Sequence, residues 1–128
     1  MKTLFSIIFP AVIIGFSLIQ GSSLGQTEQQ SGSVYPEKVK KVIDSKCYLC
    51  HNINGKSQYA KNALLWDSLP GLPKSKIIAS LDNIIKVLED NKMPPEAAVK
   101  KNPEMKLLGE ESKIMQSWAG AWADSLLK

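Results

Sequence analysis

Two cysteines and the only histidine of the chain lie within five consecutive positions, in the order Cys47-Tyr48-Leu49-Cys50-His51. This C-x-x-C-H spacing is typical of c-type haem attachment. Two thiols at this spacing add to the two vinyl groups of a haem and form thioethers, and the histidine that follows lies beneath the iron. The pattern predicts Cys47 and Cys50 as covalent anchors and His51 as the proximal iron ligand.

Three other interpretations of the motif fit less well. A thioredoxin-like redox pair requires a βαβ setting, which the sequence does not indicate. A zinc site requires four ligands, and this cluster supplies at most three. A structural disulfide across so short a loop adds little stability, because the entropic benefit of a disulfide grows with loop length.

The chain has only one histidine, so the sixth ligand of the iron cannot be a second histidine of the same chain. The sixth position is therefore filled by Met, by Lys or by an exogenous molecule, or it stays open. Met93 is the best candidate, because two prolines follow it and stiffen the chain. Met105 is a weaker candidate, and Met115 is expected to pack in the core. Lys92 is a substitute ligand at high pH, when its amine loses a proton.

Aromatic residues supply further candidates for haem contact. The chain contains no arginine, so haem carboxylates would depend on tryptophan, tyrosine, lysine or backbone donors. Trp66 and Tyr59 are the candidate contacts. Trp118 and Trp122, one turn apart, are expected to pack in the core rather than relay electrons. Tyr48 and the other spacer residue of the motif are expected to be exposed.

The N-terminal region has the order of a secretory signal. One lysine precedes a 16-residue run without charge, residues 4–19, and small residues then end at Gly25. We predict a signal peptide over residues 1–25, with an uncleaved membrane anchor as the alternative. Residues 26–35 are polar and predict a disordered lead-in to a domain over residues 36–128. The expected location is periplasmic or otherwise exported, and membrane contact is expected only if the signal stays uncleaved.

The charge of the chain is modest, at +4, and all of its cations apart from the N-terminus are lysines. Nucleic-acid binders depend on arginine and on dense basic clusters, so this class is excluded. The expected partners are redox proteins, with Lys38, Lys40, Lys41 and Lys46 as a rim that docks an acidic surface.

Apolar residues at helical spacing predict three helices, and no segment alternates for long enough to predict a strand. The first covers residues 36–46, the second begins at Lys74 and ends at Met93, and the third begins near Glu110. The apolar stripe of this third helix is expected to consist of Ile114, Trp118, Ala121, Trp122 and Leu126. Residues 52–73 are expected to be a loop with one short turn at residues 64–67, and residues 100–109 a polar connection. The fold class is therefore all-α.

Residues 47–128 resemble the bacterial haem-binding domain family of short exported c-type cytochromes. The shared features are the C-Y-x-C-H start, an A-K-x-x-L-x-x-D-like segment at residues 60–67, a helix leading to K-M-P-P, an N-P-E turn at residues 102–104, and a closing helix with Trp118. The resemblance implies a small cytochrome c-like helical domain wrapped around one covalently attached haem c. It also implies Met93 as the distal iron ligand. Gly109 departs from the family, whose members usually have a Ser or Thr helix cap there.

The function expected from these patterns is that of an exported monohaem cytochrome that carries single electrons and is not an enzyme. The first alternative is a haem-based sensor or gas-binding module with a labile sixth ligand. The second is a haem-free interaction domain whose cysteines form a disulfide or stay reduced.

Overall fold

The computed structural model describes residues 33–128, so the predicted signal peptide and most of the predicted lead-in lie outside the described residues. Within residues 33–128 the protein is all-α, without strands, as predicted. Five α-helices follow one another: α1 (Glu37–Val42), α2 (Gln58–Ala63), α3 (Lys74–Glu89), α4 (Glu96–Lys101) and α5 (Gly109–Leu127).

The first predicted helix is confirmed, but its second half is not α-helical. From Ile43 to Cys47 the chain forms a π-helical turn. The N–H of Tyr48 donates to the carbonyl oxygen of Ile43, five residues earlier, at 2.8 Å. Such wider turns inside helices are frequent at functional sites. This one ends on the first cysteine of the motif.

Two short helices were not predicted. Helix α2 lies within the loop expected at residues 52–73, and α4 begins before the connection expected at residues 100–109 and ends inside it. Ser57 caps α2, because its Oγ accepts a hydrogen bond from the N–H of Ala60 at 3.2 Å. Pro95 stands directly before α4. The turn predicted at residues 64–67 is present at residues 66–68, where the N–H groups of Ser68 and Leu69 donate to the carbonyl oxygen of Leu65. A 3-10 turn at Leu69–Gly71 follows it directly.

The helix predicted to end at Met93 ends four residues earlier, at Glu89. Asn91 has a positive φ of 53° and places the chain in the left-handed region. The N–H of Lys92 then donates to the carbonyl oxygen of Val87 at 2.8 Å, and that of Asn91 to Leu88 at 3.2 Å. This pair of bonds is a Schellman cap, so the left-handed residue and not the following prolines terminates α3.

The core lies between α3 and α5, which pack along each other. Leu81 of α3 and Ala119 of α5 are completely buried. The face of α5 that enters the core consists of Met115, Ala119 and Ala123 rather than the predicted stripe, whose larger residues pack at its edge. Small residues on the buried face allow the two helices to approach closely.

Four aromatic rings close one end of this core. Tyr35 packs against Trp66, Trp118 and Trp122, with ring centroids 5.7 to 6.3 Å apart. Its hydroxyl donates to the carbonyl oxygen of Trp66 at 2.6 Å. The tryptophans of α5 therefore pack as expected, whereas Tyr35, which the sequence analysis placed in a disordered lead-in, belongs to the packed domain.

None of the helices in residues 33–128 combines the length and the apolar run that crossing a bilayer requires.

Candidate cofactor site

The motif folds into a single tight turn. The N–H groups of Cys50 and His51 both donate to the carbonyl oxygen of Cys47, at 3.2 and 3.1 Å. Both cysteines are half-buried, and neither forms a disulfide. Both thiols and the imidazole line one cavity. The structure therefore brings the three residues of the motif to the same wall.

The imidazole of His51 is oriented by the helix that follows the motif. Its Nδ1 lies 3.0 Å from the carbonyl oxygen of Ala60 and 3.1 Å from that of Leu64. Carbonyl oxygens only accept, so Nδ1 carries the proton and Nε2 is the atom left for a metal. Metal-binding histidines are usually held in this way, with the second ring nitrogen donating to a carbonyl or carboxylate.

A tight loop after His51 supports the motif from behind. The side-chain amide of Asn52 donates to the carbonyl oxygen of Tyr48, and its Oδ1 accepts from the N–H of Asn54 at 2.7 Å. Gly55 then lies so close to the backbone of Cys50 that any side chain there would collide with its carbonyl oxygen. The loop therefore requires glycine at this position.

Tyr48 is a bonded part of the motif and not only a spacer. Its hydroxyl donates to the carboxylate of Asp67, at 2.9 and 2.8 Å from the two oxygens. The hydrogen bond to Asp67 raises the pKa of Tyr48. The backbone N–H of Trp66 donates to the carbonyl oxygen of His51 at 3.2 Å. Two contacts therefore tie the motif to the segment that carries Trp66.

The cavity beside the motif has a volume of about 130 Å³ and is open to solvent on one side. Its walls are mostly apolar, and they come from the motif, α3, the segment after α3 and the start of α5. Apolar residues that line the cavity outside the motif include Ile84, Val87, Leu88, Pro94, Pro95 and Leu107.

Three methionines line this cavity: Met93, Met105 and Met115. Met93 is half-buried in the segment between α3 and α4. Met105 lies in a 3-10 turn before α5 and is 4% exposed. Met115 is fully buried on α5, in the core as expected. The structure therefore offers thioethers from three different segments.

Trp66 and Tyr59 lie in different environments. Trp66 lines the cavity and is 3% exposed, and its indole N–H is buried without a hydrogen-bond partner. Tyr59 does not line the cavity, and its side chain is 80% exposed on α2. The expectation that Tyr59 contacts a haem is therefore not supported by its position.

Two polar residues of α3 line the cavity and were not singled out from the sequence. Ser80 and Asn83 are three positions apart, and Val87 follows at the next turn, so they form a second face of α3 beside the core face. Helical spacing was the available signal, although nothing in the sequence alone shows which partner this face meets.

Lys46 also belongs to the cavity wall and not to a docking rim. Its side chain is only 13% exposed, and its Nζ lies 3.8 Å from Oε2 of Glu111. Lys40, another residue of the predicted rim, forms an ion pair with Asp44 at 2.6 Å. Lys46 is therefore not part of an exposed rim, whereas Lys40 is 59% exposed and its docking role stays a prediction.

Burial raises the pKa of the Cys47 thiol to about 12, and the negative charge of Glu111 adds to the shift. A buried thiol at neutral pH is consequently protonated and a poor nucleophile until its proton is removed.

Within residues 33–128, no three histidine, cysteine, aspartate or glutamate side chains converge into a set that could hold a bare metal ion. Comparison with known proteins found no matching family model, no similar curated protein and no similar solved structure. The C-x-x-C-H motif of the chain is consistent with covalent haem attachment.

Proposed function

We propose that the protein is an exported monohaem c-type cytochrome that carries single electrons between redox proteins. The observation that carries this proposal is the orientation of His51. Its ring lines an apolar cavity together with both cysteines, while its Nδ1 donates to the backbone carbonyl groups of Ala60 in α2 and of Leu64 just after it. A histidine with a purely structural role would not require two cysteines at C-x-x-C-H spacing beside it, so the motif favours haem attachment.

The residues around the cavity fit a haem in their chemistry. Apolar walls suit the porphyrin, and the two thiols lie on the wall that also carries the imidazole. The unpartnered indole N–H of Trp66 suits a carboxylate, because a buried donor without an acceptor is unfavourable. Ser80 and Asn83 add polar groups along α3.

Each residue then has a defined task. Cys47 and Cys50 would hold the haem as thioethers, and His51 and Met93 would ligate its iron. When bound, the haem would supply a one-electron couple, and ligation by His and Met favours a high reduction potential. The apolar lining of the cavity would limit the access of water to the metal. No substrate-binding role is needed for this function, so we propose a carrier and not an enzyme.

The proposal is tested with the full chain expressed in a host that has haem-attachment machinery. We expect a coloured protein whose potentiometric titration follows a single one-electron transition. A sulfur-to-iron charge-transfer band is expected in the ferric form. The matched control is Cys47→Ala/Cys50→Ala, which leaves the histidine in place and should carry no covalent haem.

Two outcomes would redirect the proposal. A ferrous protein that binds carbon monoxide at once, without displacing a ligand, would favour a gas-binding module. A colourless wild-type protein with free or disulfide-bonded cysteines would contradict haem attachment altogether.

A further inference from the structure

We infer that Met105 is a second thioether donor to the iron, held at the cavity wall by Lys46. The site would then contain two exchangeable sulfur ligands, Met93 and Met105. This inference rests on the proposed function and concerns the ligand chemistry of the same site.

Met105 is buried outside the cluster of side chains that packs between α3 and α5. Its side chain is as little exposed as those of core residues, yet it is not among the side chains that pack together between α3 and α5. It lines the cavity instead. Met115 differs, because it is a member of that core on the long helix α5. Met105 therefore combines a place in the cavity wall with a position outside that cluster.

Lys46 holds the backbone on both sides of Met105. Its Nζ donates to the carbonyl oxygen of Glu104 at 2.7 Å and to that of Lys106 at 3.1 Å. Hydrogen bonds from a charged donor are stronger than those between neutral groups. The N–H of Met105 itself donates to the carbonyl oxygen of Asn102 at 3.0 Å. The turn that carries Met105 is thus fixed from two directions.

The position of Lys46 in the chain links this contact to the C-x-x-C-H motif. Lys46 directly precedes Cys47, the first residue of the motif, and both line the cavity. The same short segment therefore provides a covalent anchor and grips the turn of Met105. Lys46 is a positioning residue, since it acts on the site through Met105 and not by its own contact with iron.

Met93 reaches the cavity from a different segment and under different constraints. It follows the Schellman cap of α3, precedes two prolines and is half-buried. A thioether from either segment is the same ligand chemically. Removal of Met93 is therefore expected to leave sulfur ligation in place, with Met105 as the donor.

The test uses the haem-loaded full chain in four forms: wild type, Met93→Leu, Met105→Leu and the double variant. Leucine nearly conserves the volume of methionine, so the fold is expected to persist. The readouts are the sulfur-to-iron band of the ferric protein and carbon monoxide binding to the ferrous protein. We expect Met93→Leu to keep the band at a shifted wavelength, Met105→Leu to match the wild type, and the double variant to lose the band and bind carbon monoxide rapidly.

Several results would overturn the inference. Complete loss of the band in Met93→Leu would show that Met105 cannot replace Met93. A band that persists in the double variant would point to Met115. A Met93→Leu spectrum identical to that of the wild type, together with loss of the band in Met105→Leu, would mean that Met93 does not ligate the iron and that the two thioethers do not exchange. Covalent haem measured in the same samples after denaturation keeps these results separate from a failure of the proposed function.

The role of Lys46 is tested in the Met93→Leu background. Lys46→Leu should abolish the remaining sulfur band and accelerate carbon monoxide binding about tenfold, the lower end for loss of an outer-shell contact. Leucine adds no new sulfur to the cavity wall. Lys41→Leu is the matched control, because Lys41 is exposed on α1. An unchanged band in Lys46→Leu/Met93→Leu would contradict the positioning role.

Discussion

The Nδ1 atom of His51 lies 3.0 Å from the carbonyl oxygen of Ala60, so a helix of six residues orients the imidazole of the motif. An isolated helix of this length is not stable in water, because the first turn costs more entropy than its single hydrogen bond returns. The cap of α2 and its contact with His51 must therefore support each other.

The cap of α2 gives the first prediction. Ser57→Ala removes the acceptor of the Ala60 N–H, and we expect the free energy of unfolding to fall by about 1 kcal/mol. Ser75→Ala, on the exposed surface of α3, is the control and should change it little. Urea denaturation of both variants measures the difference. Equal effects at the two positions would mean that the cap does not stabilise α2.

The close approach of Gly55 to Cys50 gives the second prediction. Gly55→Ala forces the loop away from the motif and should lower the free energy of unfolding by about 1 to 3 kcal/mol, as overpacking does. It should also lower the yield of haem attachment. Gly120→Ala is the control, because nothing surrounds that position on α5 and alanine there should stabilise the helix by about 1 kcal/mol. A neutral Gly55→Ala variant would contradict the geometry of the loop.

The unpartnered indole N–H of Trp66 gives the third prediction. If a haem carboxylate accepts this hydrogen bond, Trp66→Phe lowers the free energy of unfolding more in the haem-loaded protein than in the haem-free Cys47→Ala/Cys50→Ala chain. The expected difference in the free energy of unfolding is about 1 to 3 kcal/mol. The loss of ring volume is common to both forms and cancels in this cycle. Trp122→Phe, in the same aromatic cluster, should show no such difference. If Trp66→Phe lowered the free energy of unfolding equally in the two forms, the indole N–H of Trp66 would have no role in binding the cofactor.

The buried thiol of Cys47 gives a prediction on pH. Burial raises the pKa of this thiol from 9.0 to about 12 in the folded chain. Between these values the unfolded chain has lost the proton and the folded chain has kept it, so stability falls as the pH rises. The contribution is fully present below pH 9 and declines by up to about 1.4 kcal/mol per pH unit above it.

This slope is measured as the difference between the wild type and Cys47→Ala in the haem-free state, since tyrosines and lysines titrate in both. In the haem-loaded protein a thioether replaces the thiol and cannot ionise, so the component due to Cys47 should be absent there. A slope that survives haem loading would show that Cys47 is not attached.

The long helices could be predicted because each has an apolar face that recurs at helical spacing over several turns. The short helices α2 and α4 could not, since six residues are too few for a periodic signal and only Ser57 and Pro95 mark their starts. The end of α3 depends on Asn91, one of the few residue types that readily adopt a left-handed conformation, and the two prolines beyond it drew the prediction too far.

The motif residues of the candidate site could be identified from spacing alone, because their chemistry depends on sequence neighbours. The residues that complete the cavity depend on tertiary packing. Lys46 was expected on the surface because lysines are mostly exposed, and only the fold shows the backbone carbonyls of residues 104 and 106 that bind it. Ser80 and Asn83 could not be identified from the sequence either, because only the fold shows that their face of α3 lines the cavity.

The most direct test of the central claim is the intact mass of the denatured protein after expression with haem-attachment machinery. The account predicts that the wild-type chain carries the additional mass of one haem and that Cys47→Ala/Cys50→Ala carries none. His51→Ala, which leaves both thiols in place, is the companion variant for the ligand and should alter the iron spectrum of any haem that is attached. A wild-type mass equal to that of the polypeptide alone would contradict the account.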